Sequence, residues 1–235
     1  RFGAATGTGM TFPERLIEAA RVQLRAWQAQ APLIAPQDRL DSAMIATGLG
    51  VFSSQALIDL YSLIYDATGP DELPETQAWQ LRQAFVGDTR DTRIAAMRRL
   101  WSEADSLLER EASHALLGRA ASRVAPDPDL EQDAADLIAS MFAAGYDRQA
   151  GQWIAAVQRM DDEYADPAWA MLAVGAPEGS GVDVSVGRIN AFIGRDQSRG
   201  RKRSALLVAA LAGLGRIDAE AGSALNSRHR LRLGR

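Results

Sequence analysis

Four times along this chain, an apolar stripe with helical spacing ends on a glycine. A Ser or Asp follows within a few residues, ahead of a second apolar stripe. Met44-Ile45 and Leu49-Gly50 lead to Ser53, Ala56, Leu57 and Leu60. Ala84-Phe85-Val86-Gly87 leads to Asp88, Ile94 and Met97. Met141-Phe142-Ala143-Ala144-Gly145 leads to Asp147, Ala150, Trp153 and Ile154, and Leu211-Ala212-Gly213-Leu214-Gly215 leads to Asp218, Ala221 and Leu225. Glycine suits the left-handed residue that closes a helix, and a short side-chain oxygen suits the next N-cap. Turns this short make neighbouring helices antiparallel. The recurring turn therefore predicts helical hairpins.

The remaining periodicity agrees. Apolar residues at spacings of three and four predict helices over 13–30, 38–47, 53–66, 75–85, 89–104, 107–124, 130–144, 147–160, 165–174, 184–193, 204–214 and 218–225. In the first, Leu16, Ile17, Ala20, Leu24 and Trp27 form the stripe, with Gln28 off it, Thr11 as the cap and Pro13 in the first turn. No segment alternates with a period of two, so the predicted class is all-α.

The turn glycines lie 37, 58 and 70 residues apart, near one, two and two units of a two-helix repeat. The clearest unit has Leu137, Ile138 and Met141 before Gly145, then Ala150 and Ile154 after it. It resembles a tetratricopeptide- or Sel1-type hairpin, while the other units depart from that pattern. The resemblance implies antiparallel hairpins stacked as an α-solenoid; an irregular helical bundle is the alternative.

Charge is segregated along the chain. From Arg188 to the end there are eleven basic and three acidic residues, a net of +8, whereas residues 1–187 carry −12. The division falls at a Gly/Pro-rich loop, 175–183, with Ala125-Pro126-Asp127-Pro128 as a second candidate boundary. The predicted organisation is a leader at 1–10, an acidic hairpin array at 11–174, the loop at 175–183 and a basic helical module at 184–235. The candidate anion- or partner-binding residues are Arg188, Arg195, Arg199, Arg201, Lys202, Arg203, Arg228, Arg230 and Arg232. Aromatic residues are not interleaved with them, which weighs against single-stranded nucleic acid.

Catalytic motifs are missing from the sequence. There is no cysteine, no Gly-x-Ser-x-Gly elbow and no Walker phosphate loop. The acidic run 127–133 lacks the sharp-turn glycine of a calcium loop. Asp161, Asp162, Glu163 and Asp166 sit where solvent is expected to keep them ordinary, and Glu111-x-x-His114 has no second such pair. No cofactor, metal or catalytic residue is predicted, and no apolar run reaches the roughly 20 residues of a membrane span.

Of the basic residues only Lys202 is lysine, a bias that suits a GC-rich bacterial genome and either cytoplasm or periplasm. The opening Arg1-Phe2-Gly3, without a Met, suggests a piece of a longer protein. The expected function is a non-enzymatic scaffold for a protein or peptide partner, with self-association as one form of it. The alternatives are a helical superstructure domain of a larger enzyme, such as a cell-wall hydrolase, and nucleic-acid or anionic-surface binding through the basic part.

Overall fold

The computed structural model describes residues 6–9 and 22–231, and no strand occurs among them. The protein is all-α. Contacts divide it into two compact units. The first comprises residues through Ala125 together with Ala139–Tyr146; the second comprises Pro126–Ile138 and residues from Asp147 onward.

The first unit contains α1 (Val22–Gln30), α2 (Pro36–Gly48), α3 (Ser54–Ala67), α4 (Gln77–Val86), α5 (Arg90–Ser102) and α6 (Leu107–Ala121). Side-chain caps fix most of the starts. Ser53, Thr76, Thr89 and Ser106 each accept a hydrogen bond from the backbone N–H three residues on. Ser106 is half of a capping box, since Glu109 accepts in return from the Ser106 N–H at 3.0 Å. Such caps contribute about 1 kcal/mol each. At the second of the four glycine turns the cap is Thr89, one residue beyond Asp88.

Glycine closes the turns in two different ways. Gly50, Gly145 and Gly215 have φ of 72°, 76° and 68°, the left-handed conformation expected of them. Gly87 does not: its φ is −55°, and a β-carbon there would meet the Gln83 carbonyl, Thr92 and Arg93. Glycine is present at that turn for space rather than for handedness.

In the first unit α6 packs on α2, α3, α4 and α5. Direct α2–α6 packing joins elements separated by three helices, whereas a one-dimensional stack joins only neighbours. Here four helices of the first unit pack on α6. Small residues permit this. Ser42, Ala43, Ala46 and Thr47 are the buried face of α2, while Leu40, Met44 and Ile45 are only half-buried. A β-carbon on Gly48 would run into the Leu108 carbonyl, and one on Gly118 into Ala144.

On α1 the buried residues include Arg25, Gln28 and Ala29, and Trp27 is 57% exposed, which reverses the predicted stripe. Gln28 is drawn in because its Oε1 accepts from the Ser42 hydroxyl at 2.8 Å. Thr11, Pro13, Leu16, Ile17 and Ala20 lie outside the described residues. Other buried polar groups are paired, with Arg39 Nε and Arg188 Nη1 as exceptions. The Trp101 indole N–H donates to Ser140 Oγ at 3.1 Å, and Ser113 donates to the Leu100 carbonyl at 3.1 Å.

Helix α7 (Glu131–Ala143) contributes its first residues to the second unit and its last to the first. The second unit continues with α8 (Asp147–Gly151), α9 (Ile154–Val157), α10 (Asp162–Gly175), α11 (Val186–Arg195), α12 (Lys202–Gly213) and α13 (Ala219–His229). The helix expected over 147–160 is broken at Gln152-Trp153 into α8 and α9, and Trp153 is 1% exposed at the break. Burial of that large side chain fixes a bend that spacing alone does not reveal. Helix α10 packs on α8, α9 and α12, and α11, α12 and α13 contact one another.

Candidate functional site

The acid–base segregation lies almost wholly within the second unit. The first unit's residues sum to −2, whereas in the second −10 through residue 187 faces +8 beyond it. Folding brings parts of these two blocks together.

Asp166, on α10, is 12% exposed at its side chain and accepts three charge-assisted hydrogen bonds. Arg188 Nη2 donates to Oδ1 at 2.8 Å; Arg195 donates from Nε to Oδ2 at 2.7 Å and from Nη2 to Oδ1 at 2.8 Å. Arg195 also pairs with Asp162 at 3.1 Å. The Arg188 guanidinium lies 4.1 Å from the Trp169 ring centroid, a cation–π contact. Burial pushes the Asp166 carboxyl up, but the hydrogen bonds from Arg195 and Arg188, aided by their charges, outweigh it and hold the group below the usual carboxylate range. Asp166 is therefore a buried ionic hub, not the solvated acid the sequence suggests. Arg188 and Arg195 are occupied by this chain's own carboxylates.

The loop at 175–183 lies inside the second unit and is tied at both ends. The Trp169 indole N–H donates to the Asp183 carbonyl at 2.8 Å, and the Arg216 guanidinium donates to the Ala176 carbonyl.

The other candidate residues form a different arrangement. Arg199, Arg201, Lys202 and Arg203 are exposed on the short 3-10 turn Arg199–Arg201 and the start of α12. Cations at a helix N-terminus oppose the helix dipole. The compensating anion is Asp196, which accepts from the Ser198 N–H at 2.8 Å, the Ser204 N–H at 2.9 Å and the Ser204 hydroxyl at 2.6 Å. Burial raises the Asp196 carboxyl, but the hydrogen bonds from Ser198 and Ser204 prevail and bring it down to about 2. The N-terminus of α12 thus already holds an anion, and the basic side chains around it project outward.

Arg228 and Arg230 are exposed at the other end of the unit's sequence, in and just after the last turn of α13. His229 ties the end of α13 to α11. Its Nε2–H donates to Asn190 Oδ1 at 2.6 Å. Burial, and then the positive charges of Arg228 and Arg201, hold its imidazole below the usual histidine range. Helices α12 and α13 pack on each other across a short turn, so residues 199–203 and 228–230 come to the same end of this hairpin, where the Arg201 charge reaches His229.

Arg201 and Arg230, both with φ of 53°, are the only non-glycine residues in left-handed backbone among the described residues. Each costs about 1–2 kcal/mol. Among the described residues, Arg199, Arg201, Lys202, Arg203, Arg228 and Arg230 make no ion pair with a carboxylate. Arg232 lies outside the described residues.

The sequence named the cations but not the groups that arrange them: Asp166, Asp196, Asn190 and His229. Only Asp196-x-Ser198, a turn-forming pair, carried a local signal. His114 is buried, with its ring 6.5 Å from that of Trp101. Among the described residues no helix is long and apolar enough to cross a membrane. No protein-family model matches the chain, and comparisons with curated proteins and with solved structures return no match.

Proposed function

We propose that this chain is a non-enzymatic interaction module that binds an acidic segment of a protein partner through the basic face of its second unit. The carrying observation is that residues 199–203 and 228–230 lie at one end of the α12–α13 hairpin, with six cations that make no carboxylate ion pair among the described residues. An extended polyanion fits this face poorly. The chain carries −4 overall, with a pI of about 5.3, whereas nucleic-acid-binding domains characteristically have a pI above about 9. The acidic residues Asp161, Asp162 and Glu163 belong to the same unit and repel a long phosphate backbone. A short acidic peptide engages the cations without meeting that repulsion.

Fluorescence anisotropy with a labelled polyglutamate peptide tests the proposal, alongside duplex DNA and anionic phospholipid vesicles. The peptide is expected to bind at low salt and to weaken as salt rises. The double substitution Arg201→Glu with Arg228→Glu, both at exposed positions, is expected to abolish binding. Tighter binding of duplex DNA or vesicles than of the peptide overturns the proposal, as does peptide binding that ignores the charge reversal.

A further inference from the structure

Between α3 and α4, in the first unit, lies an open groove of about 210 Å³. Ile58, Tyr61 and Tyr65 of α3 line one side, and Leu81, Phe85 and Val86 of α4 line the other. This volume is below that of a site for a drug-sized molecule and suits one or two large apolar side chains.

The groove is held open by its own framework. The Tyr61 hydroxyl donates to Gln77 Oε1 at 2.7 Å, and Gln77 Nε2 donates to Glu103 at 3.0 Å, so the floor is pinned to α4 and α5. The Tyr65 ring stacks on Trp79, with centroids 6.3 Å apart and planes 11° from parallel. Apolar surface remains uncovered there: Val86 is 59% exposed, and Phe85, Ile58 and Tyr65 are only half-buried.

The segment that builds the groove is acidic. Residues 54–86 carry Asp59, Asp66, Asp71, Glu72 and Glu75 against a single cation, Arg82, a net of −4. Asp66 lines the groove itself. Asp59 lies two helical turns before it, so both fall along the face of α3 that carries Ser62, another lining residue. Among the described residues none of these five carboxylates has an ion pair. Arg82 also lines the groove, on the α4 side, with its guanidinium 5.0 Å from the Tyr65 ring centroid, so Asp59 and Asp66 supply the acidic side on α3.

We infer that the α3–α4 groove docks a basic amphipathic helix of a partner protein. Large apolar side chains spaced by three and four enter between Tyr65, Phe85 and Val86, and the flanking Lys or Arg residues face Asp59 and Asp66. This is helix-in-groove recognition with electrostatic selection. Helix α3 is about 20 Å long, which accommodates roughly three turns of a docked helix. The site is independent of the basic face of the second unit and has the opposite charge.

The test uses the full chain and two labelled, amidated peptides of identical Leu, Ala and Arg composition. One places its leucines on a single helical face; the other is scrambled. The amphipathic peptide is expected to bind and the scrambled one to bind at least about tenfold more weakly. Val86→Glu, at an exposed position that does not test folding, is expected to weaken binding about tenfold. Asp59→Lys with Asp66→Lys is expected to do the same at low salt and less at high salt. Arg201→Glu with Arg228→Glu is expected to leave this binding unchanged, which separates it from the acidic-segment proposal. Equal binding of the two peptides overturns the inference, as does indifference to Val86→Glu. So does sedimentation showing that the wild-type chain dimerises and Val86→Glu does not, because a second copy then covers the groove.

Discussion

Replacing Asp166 by alanine leaves Arg188 and Arg195 without their shared carboxylate, and the cost follows from exposure. The Arg195 side chain is 37% exposed and keeps Asp162, so its loss is that of a surface pair, about 0–1 kcal/mol. Arg188 is only 19% exposed and, among the described residues, makes no second ion pair, with Asp183 near it through charge alone. A fully buried orphaned charge costs about 3–5 kcal/mol, and residual solvent access brings this one to about 2 kcal/mol. The sum is about 2–3 kcal/mol. Amide hydrogen exchange read at α10 and α11 is the suitable assay, because two units need not unfold as one. Protection in α11 should fall about thirtyfold to about 140-fold, at about 1.4 kcal/mol per decade. Asp162→Ala, whose side chain is 67% exposed, should change protection by less than about threefold. Asp166→Leu combined with Arg188→Met should recover most of the loss, since neither variant side chain leaves a charge unpaired. The pH dependence has a definite sign. The folded Asp166 carboxyl titrates below its unfolded value, so its contribution is complete above about pH 4 and is lost as pH falls through the lowered value. Wild type and Asp166→Ala should converge in acid. A cost no greater than that of Asp162→Ala would refute the reasoning, as would a gap that persists unchanged in acid.

Gly48→Ala should destabilise the first unit by about 1–3 kcal/mol in urea unfolding, because its new methyl meets the Leu108 carbonyl. Gly50→Ala points into open space at φ 72° and should cost only its backbone strain, about 1 kcal/mol. Trp153→Ala should cost about 3–5 kcal/mol, seen as loss of protection in α8 and α9. Asp196→Ala should loosen the first turn of α12 at neutral pH. In the wild-type chain the same loosening should develop between about pH 4 and pH 2, the window between its unfolded and folded values.

What the sequence disclosed was local. Ser53, Ser106 and Asp218 cap helices with their own side chains, and Gly50, Gly145 and Gly215 close them, so these boundaries could be read from residues a few positions apart. The sequence concealed whatever depends on distant partners. Asp166 lies 22 and 29 residues from the arginines it binds, and no pattern in either segment announces the pairing. The cations were visible as composition, but which ones remain outward-facing was decided by Asp166 and Asp196. The small-residue core of α2 escaped notice because periodicity favours Leu, Met and Ile, whereas close helix approach favours Ala and Gly. The groove left one faint trace: Ile58, Ser62 and Tyr65 continue around α3 beyond the stripe of Leu57, Leu60, Tyr61 and Ile64.

The partition of α7 bears on how the polypeptide can be taken apart. A fragment ending at Ala125 would lack Ala139–Tyr146, and with them the Ser140 hydroxyl that receives the Trp101 indole proton and the Met141 side chain, which is 0% exposed. A fragment beginning at Asp147 would lack Leu137 and Ile138, likewise 0% exposed. Residues 126–146 are needed to complete both bodies, so no single scissile bond in the described chain liberates two intact halves. A protease that nicks this stretch damages the two together, and a ribosome must pass Tyr146 before even the earlier one has all of its parts.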